Sequence, residues 1–163
     1  MHPTVKVKRI GDHTLPIPTY ATDGAAGLDL RNAGPRIVLP CAWFQYPSLH
    51  PRDPMPGGNI PMWLPVGFAF EIPPGYEGQI RGRSGLAAKH SVVAFHPGTI
   101  DSDFRGEPKV ALVNWGTEDF VIEPGDRIAQ LVIAPVARAL LVEVGALSET
   151  ARGEGGYGST GVK

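Results

Sequence analysis

The chain has 163 residues, enough for one domain with a buried core, and 42% of them are apolar against 19% charged. A net charge of −1 leaves no basic excess for a nucleic-acid duplex or an acidic membrane, and the lone Cys41 excludes an internal disulfide and a cysteine-based zinc site. The 21 glycines and 17 prolines point to many turns and short strands rather than long helices. The start, "MHPTVKVKRI", lacks the apolar run of a signal peptide, and no stretch approaches the roughly eighteen apolar residues of a membrane span. A cytoplasmic location is expected.

In chain order, residues 5–10 read as a strand with basic side chains on one face. "LPIPTYATDGAAGLDL" is broken by proline and glycine and ends in a short strand at 28–30. "RIVL" at 36–39 is another candidate. Residues 40–65, rich in proline, glycine and aromatics, show no period and read as a long surface loop or a pair of irregular strands. "PVGFAFEI" and "GQIRG" predict strands around the turn "PPGYEG". "SGLAAKH" is the one convincing helix start, with Ser84 placed as its N-cap. "SVVAF" and "PKVALVNWG" are β-branched strands. "DFVIEPGDRIAQLVIAPV" predicts a hairpin with Pro124 and Gly125 central in a type II turn. "RALLVEV" reads as the last strand. With no strand–helix alternation and no repeat, the class is all-β, a sandwich or barrel-like sheet.

Several stretches carry chemistry. In "GRSGLA", Arg83, Ser84 and Gly85 stand where a strand gives way to a helix: a guanidinium, a hydroxyl and free N–H groups make an anion pocket, or simply a capped helix with a surface arginine. In "HPGTIDSDFRGE", Asp101 and Asp103 share a face if extended and need not in a tight loop. They suit magnesium binding, general-base work on water, or a solvated acidic turn. Asp29 sits between two leucines, as a buried hydrogen-bonded aspartate does. Gln130 lies in an apolar strand on the side of Ile128 and Val132, and needs a partner there. The tail "RGEGGYGSTGVK" is not a P-loop, yet it offers N–H groups and hydroxyls suited to phosphate. The five histidines form no metal spacing, and Ser84 has no GxSxG context.

Taken together and in order, "DGAAGLDL", "GRSGLA", "GTIDSDFRGE", "GDRIAQLVI" and "RGEGGYGSTG" resemble the trimeric dUTP diphosphatase family, the dUTPases, over about residues 15–161. The resemblance implies a distorted jelly-roll β-barrel or sandwich with one short helix, forming a homotrimer. It implies a β domain over 1–147, with an irregular insertion at about 40–65, and a flexible glycine-rich arm over 148–163 that closes a neighbouring subunit's site. The implied reaction converts dUTP and water to dUMP and diphosphate, limiting uracil in DNA and supplying dUMP for dTMP synthesis. Mg2+ is expected on the triphosphate and water, with no direct protein ligand.

Position by position, Asp101 matches the carboxylate that activates water for attack on the α-phosphorus. Gly98, Thr99 and Ile100 match the hairpin whose main chain reads uracil, with His96 beside it, and Phe104 the ring that packs under deoxyribose. Arg83, Ser84, Gly85 and Gln130 match phosphate contacts, and Asp29 a residue of the supporting network. Arg152, Gly158, Ser159 and Thr160 match the tail's γ-phosphate contacts, and Tyr157 the ring that stacks on uracil.

The chain departs from the family in carrying Phe104 for a usual tyrosine, His96 for asparagine, Tyr157 for phenylalanine, and a longer 40–65 stretch. Two other readings stand beside the main one: a dCTP deaminase-type or bifunctional relative, and a protein-binding module acting through residues 40–65. The deaminase reading lacks its glutamate, since "KVALVNWG" holds no acid.

Overall fold

Proline and glycine cut the chain into short apolar runs, and the runs fold as strands. The computed structural model describes residues 2–41, 61–95 and 98–156. They form β1 (Lys6–Arg9), β2 (Leu28–Arg31), β3 (Ile37–Leu39), β4 (Met62–Pro65), β5 (Phe68–Glu71), β6 (Tyr76–Arg81), α1 (Ser84–His90), β7 (Val92–Ala94), β8 (Gly98–Ile100), β9 (Lys109–Asn114), β10 (Phe120–Ile122) and β11 (Arg127–Pro135). The all-β expectation holds. Among the described residues no helix is long and apolar enough to cross a membrane.

Two larger sheets carry the core. One has the order β2-β11-β6-β8, the other β4-β9-β7, and two-stranded ribbons β1-β5 and β10-β3 flank them. The sheets stay open rather than closing into a barrel, so the architecture is the sandwich form of a jelly roll. Leu30, Ile80, Ile100 and Leu131 of the first sheet and Leu64, Val92, Val110 and Leu112 of the second belong to a single core cluster. Strand β9 is buried from Val110 to Val113, as its unbroken apolar run requires, and ends in a buried, hydrogen-bonded Asn114. Alternation along the four-stranded sheet sends Leu30, Ile80 and Leu131 inward and Asp29, Arg81 and Gln130 to the other face.

The predicted hairpin at 120–135 is corrected. The turn is present: Asp126 N–H donates to the Glu123 carbonyl at 3.2 Å, and Gly125 has φ of +86°. Its two strands, however, enter different sheets, β10 beside β3 and β11 beside β2. Asn32 is the reason. Its main chain accepts from Gly125 N–H at 2.8 Å and donates to the Asp126 carbonyl at 2.9 Å. Its side-chain amide donates to the carbonyls of Pro35 (3.1 Å) and Glu123 (3.3 Å) and accepts from Gly34 N–H at 3.0 Å. The turn is therefore a corner pinned by a buried asparagine. Replacing Asn32 with alanine strands several buried polar groups, and the expected cost is about 3 kcal/mol. The check is a lower urea midpoint with unchanged slope at fixed protein concentration.

A second correction concerns residues 138–144. No strand forms there, and β11 ends at Pro135. Leu140, Leu141 and Leu147 are 89%, 90% and 87% exposed. A strand needs a neighbour for its backbone groups, and the described residues offer none to the segment.

Candidate active site

One end of the four-stranded sheet gathers opposite charges. Asp29 on β2 faces Gln130 on β11, which faces Arg81 on β6, so the three occupy one row. Asp29 is only 9% exposed and needs compensation for that burial. Arg127 supplies it, its Nη1 donating to Asp29 Oδ2 at 3.1 Å. Arg83 Nε lies 3.4 Å from Asp29 Oδ1. This is a charge contact rather than a hydrogen bond, since Oδ1 has no hydrogen-bond partner among the described residues. Arg83 Nη1 also donates to the Arg127 carbonyl at 3.3 Å. Two guanidiniums against one carboxylate leave the cluster positive. A cavity of about 250 Å³ opens beside it, lined by Arg83, Leu86, Asp126 and Arg127 among others.

Strict alternation would place Ile128 beside Gln130 and turn Arg127 to the core. The register instead shifts between Arg127 and Ala129 against β2, and Ile128 is the extra residue. Ile128 and Ala129 are both buried, at 1% and 0%. The sequence expectation that Gln130 shares a side with Ile128 is thus corrected: the bulge sends Ile128 inward and leaves Gln130 on the polar face with Asp29. Gly27 completes the fit, because a Cβ there would sit 3.0 Å from Gln130 Cβ.

Arg83, not Ser84, is the N-cap of α1. The Arg83 backbone is extended, its carbonyl accepts from Ala87 N–H, and no side chain caps the helix. Ser84 and Gly85 form the first turn, both exposed, next to the Arg83–Asp29 pair. The serine hydroxyl is freed from capping, and the first-turn N–H groups have no carbonyl of their own helix to meet.

The other predicted residues sit elsewhere. Strand β8 (Gly98–Ile100) is the outer strand of its sheet among the described residues, so one edge of its backbone lacks a strand partner. The chain then turns, Phe104 N–H donating to the Asp101 carbonyl at 3.1 Å. Asp101 and Asp103 are in this loop, both exposed, and they line a cavity of about 420 Å³ with Tyr76, Glu77 and Arg138. The Phe104 ring, 41% exposed, lies over Gly106, where an added Cβ would meet Phe104 Cζ at 2.6 Å.

These two groups do not meet within one chain. Ile100 pairs with Gly78, placing Asp101 toward Glu77, whereas the charged cluster begins at Arg81. Four residue steps of strand separate Glu77 from Arg81, about 13 Å at the usual rise. Arg152 is exposed, its Nε donating to the Gly155 carbonyl at 2.8 Å in its own turn. His96, Tyr157, Gly158, Ser159 and Thr160, and most of 40–65, lie outside the described residues. The sequence reading missed Arg127, Tyr76 and Arg138. The signal for Arg127, a charged residue heading a strand, is indistinguishable from an ordinary surface arginine until the bulge is seen.

Magnesium, which the resemblance implies, is tested by the donor set. Among the described residues no group of three His, Cys, Asp or Glu could hold a metal ion, and Asp29 is committed to two arginines.

A family model for dUTPase matches residues 54–161. The chain is 53% identical to a deoxyuridine 5'-triphosphate nucleotidohydrolase of Rhizobium meliloti over 91% of this chain and 85% of that protein. It is 51% identical to one of Rhizobium etli over 98% and 95%. The Staphylococcus bacteriophage 80alpha dUTPase, solved with dUPNHPP, superposes with a TM-score of 0.80 at 26% identity, covering 98% of this chain and 99% of that one. On the family match, the near full-length identity and the shared fold, the chain belongs to the dUTPase family.

Proposed function

We propose that the chain hydrolyses dUTP to dUMP and diphosphate at a site built from more than one copy of itself, in a homotrimer. One observation carries the shared site: Asp101 and the Asp29–Arg83–Arg127 cluster occupy opposite ends of β6, too far apart to serve one reacting phosphorus. The exposed Leu140, Leu141 and Val142 support the assembly, since apolar side chains in a row exposed to this degree mark a surface awaiting a partner. A second copy in a symmetric ring brings the Asp101 end of one chain to the Arg83 end of the next.

In this site the edge of β8 presents main-chain donors and acceptors at Gly98–Ile100 to a base, with His96 beside it. The Phe104 ring packs against the sugar and leaves no room for a 2′-hydroxyl. Arg83, Ser84, Gly85 and Gln130 of the adjoining chain hold the phosphates, and Asp29 keeps Arg83 in place. Asp101 orients a water in line with the α-phosphorus and takes its proton. The water oxygen bonds to that phosphorus, the bond to the bridging oxygen breaks, and its electron pair leaves with diphosphate. Magnesium bound to the triphosphate would neutralise charge on the phosphates, beside Arg83 and Arg152. The arm over 148–163 brings Arg152, Tyr157 and Gly158 to Thr160 over the filled pocket, stacking on the base and excluding water.

The test is diphosphate release from dUTP, UTP, dCTP and dTTP, with and without magnesium. Release from dUTP alone, and only with magnesium, is expected. Equal turnover of UTP overturns the Phe104 assignment, and ammonia released from dCTP establishes the deaminase reading instead.

A further inference from the structure

Residue 127 touches both members of the pair that orients the phosphate-side arginine. Its side chain donates to Asp29 Oδ2 at 3.1 Å, and its carbonyl accepts from Arg83 Nη1 at 3.3 Å. Asp29 in turn presents Oδ1 to Arg83 Nε at 3.4 Å. Arg83 is thus held at two nitrogens, one by the main chain of residue 127 and the other by the carboxylate that the Arg127 side chain binds. Among the described residues this leaves Nη2 as the uncommitted edge of the guanidinium. The hold exists because of the extra residue at Ile128: without it Arg127 would face the core, and Asp29 would be a buried carboxylate facing Arg83 without its hydrogen-bonded counter-ion.

We propose that Arg127 is a positioning residue for the reaction, aimed by the β-bulge to clamp Asp29 and Arg83 so that Arg83 presents one fixed edge to the phosphates. It acts through those two residues and makes no contact of its own with the substrate. A cation at this position can do this because its charged hydrogen bond fixes the carboxylate that faces Arg83. The inference rests on the reading of Arg83 as a phosphate contact.

The test is a kinetic double-mutant cycle on the full chain, with dUTP, comparing Arg127→Met, Arg83→Met and the double variant, each checked for folding by circular dichroism. Arg127→Met is expected to lower kcat/KM by about 10- to 100-fold, mostly in kcat, as loss of alignment does. In the Arg83→Met background the same change is expected to cost less than about threefold, because the residue it acts through is gone. Arg127→Lys, which keeps a charge at Asp29 Oδ2, recovers most of the loss. If Arg127→Met does not fold, Arg127→Gln takes its place in the cycle with the same expectations. Losses that multiply overturn the proposal in favour of an independent contact. A lower melting temperature with kcat and KM unchanged overturns it in favour of a purely structural pin. Full activity in Arg83→Met removes the phosphate reading and this inference together, whereas an impaired Arg83→Met with multiplying losses removes only the inference.

Discussion

Asp101→Asn is expected to lower kcat on dUTP by about 10²- to 10⁴-fold with KM little changed, the range for removing a general base. Asparagine keeps the size of the side chain and can still hold a water, but it cannot take the proton. The side chain is exposed in the loop after β8, so folding is not at stake. The more searching form of the experiment uses two inactive chains. Asp101→Asn fails at one end of β6, and Arg83→Met at the other. If each site draws these ends from different copies, assemblies formed by co-expressing the two variants contain some sites with both native residues. For random equal mixing in a symmetric ring, about a quarter of the sites are whole, and activity returns to that extent. A mixture as inactive as its components sinks the shared site, because a site within one chain cannot be complemented.

Removal of residues 148–163 is expected to give a comparably large effect while leaving a folded assembly. Residues 148–154 and 156 are exposed and none of 148–156 lies in a helix or strand, so this described part of the arm takes nothing from the core sheets when it is cut. The loss falls on turnover, about 10²-fold or more, if the arm aligns the triphosphate and keeps water from the pocket. Sedimentation and circular dichroism should show the same assembly and the same unfolding midpoint as the full chain. Full activity in the truncated chain ends the lid reading. Dissociation of the truncated chain would instead place the arm among the contacts that hold the copies together.

The legible part of the molecule was local. Alternating apolar residues between prolines and glycines marked the strands, because a side-chain period of two is a property of a few neighbouring residues. "GRSGLA" marked the junction of β6 and α1 for the same reason, and "EPGD" marked its turn. What failed in each case depended on a distant partner. Ser84 looked like a cap, yet Arg83 holds that position, in the chain that leaves β6 toward Asp29 and Arg127. The turn at Pro124 looked like a hairpin, yet Asn32, far away in sequence, grips it as a corner between sheets. Residues 138–144 have strand character and no strand, because no strand among the described residues pairs with them.

The sequence by itself determined that this is an all-β dUTPase, through short motifs whose chemistry survives without knowledge of the fold. Only the tertiary structure decided which of those residues work side by side. One extra residue at Ile128 moves Arg127 onto the face of Asp29, and antiparallel pairing of β6 with β8 carries Asp101 away from Arg83. Register and bulges are set by contacts between strands remote in the chain, so no local pattern of residues can reveal them.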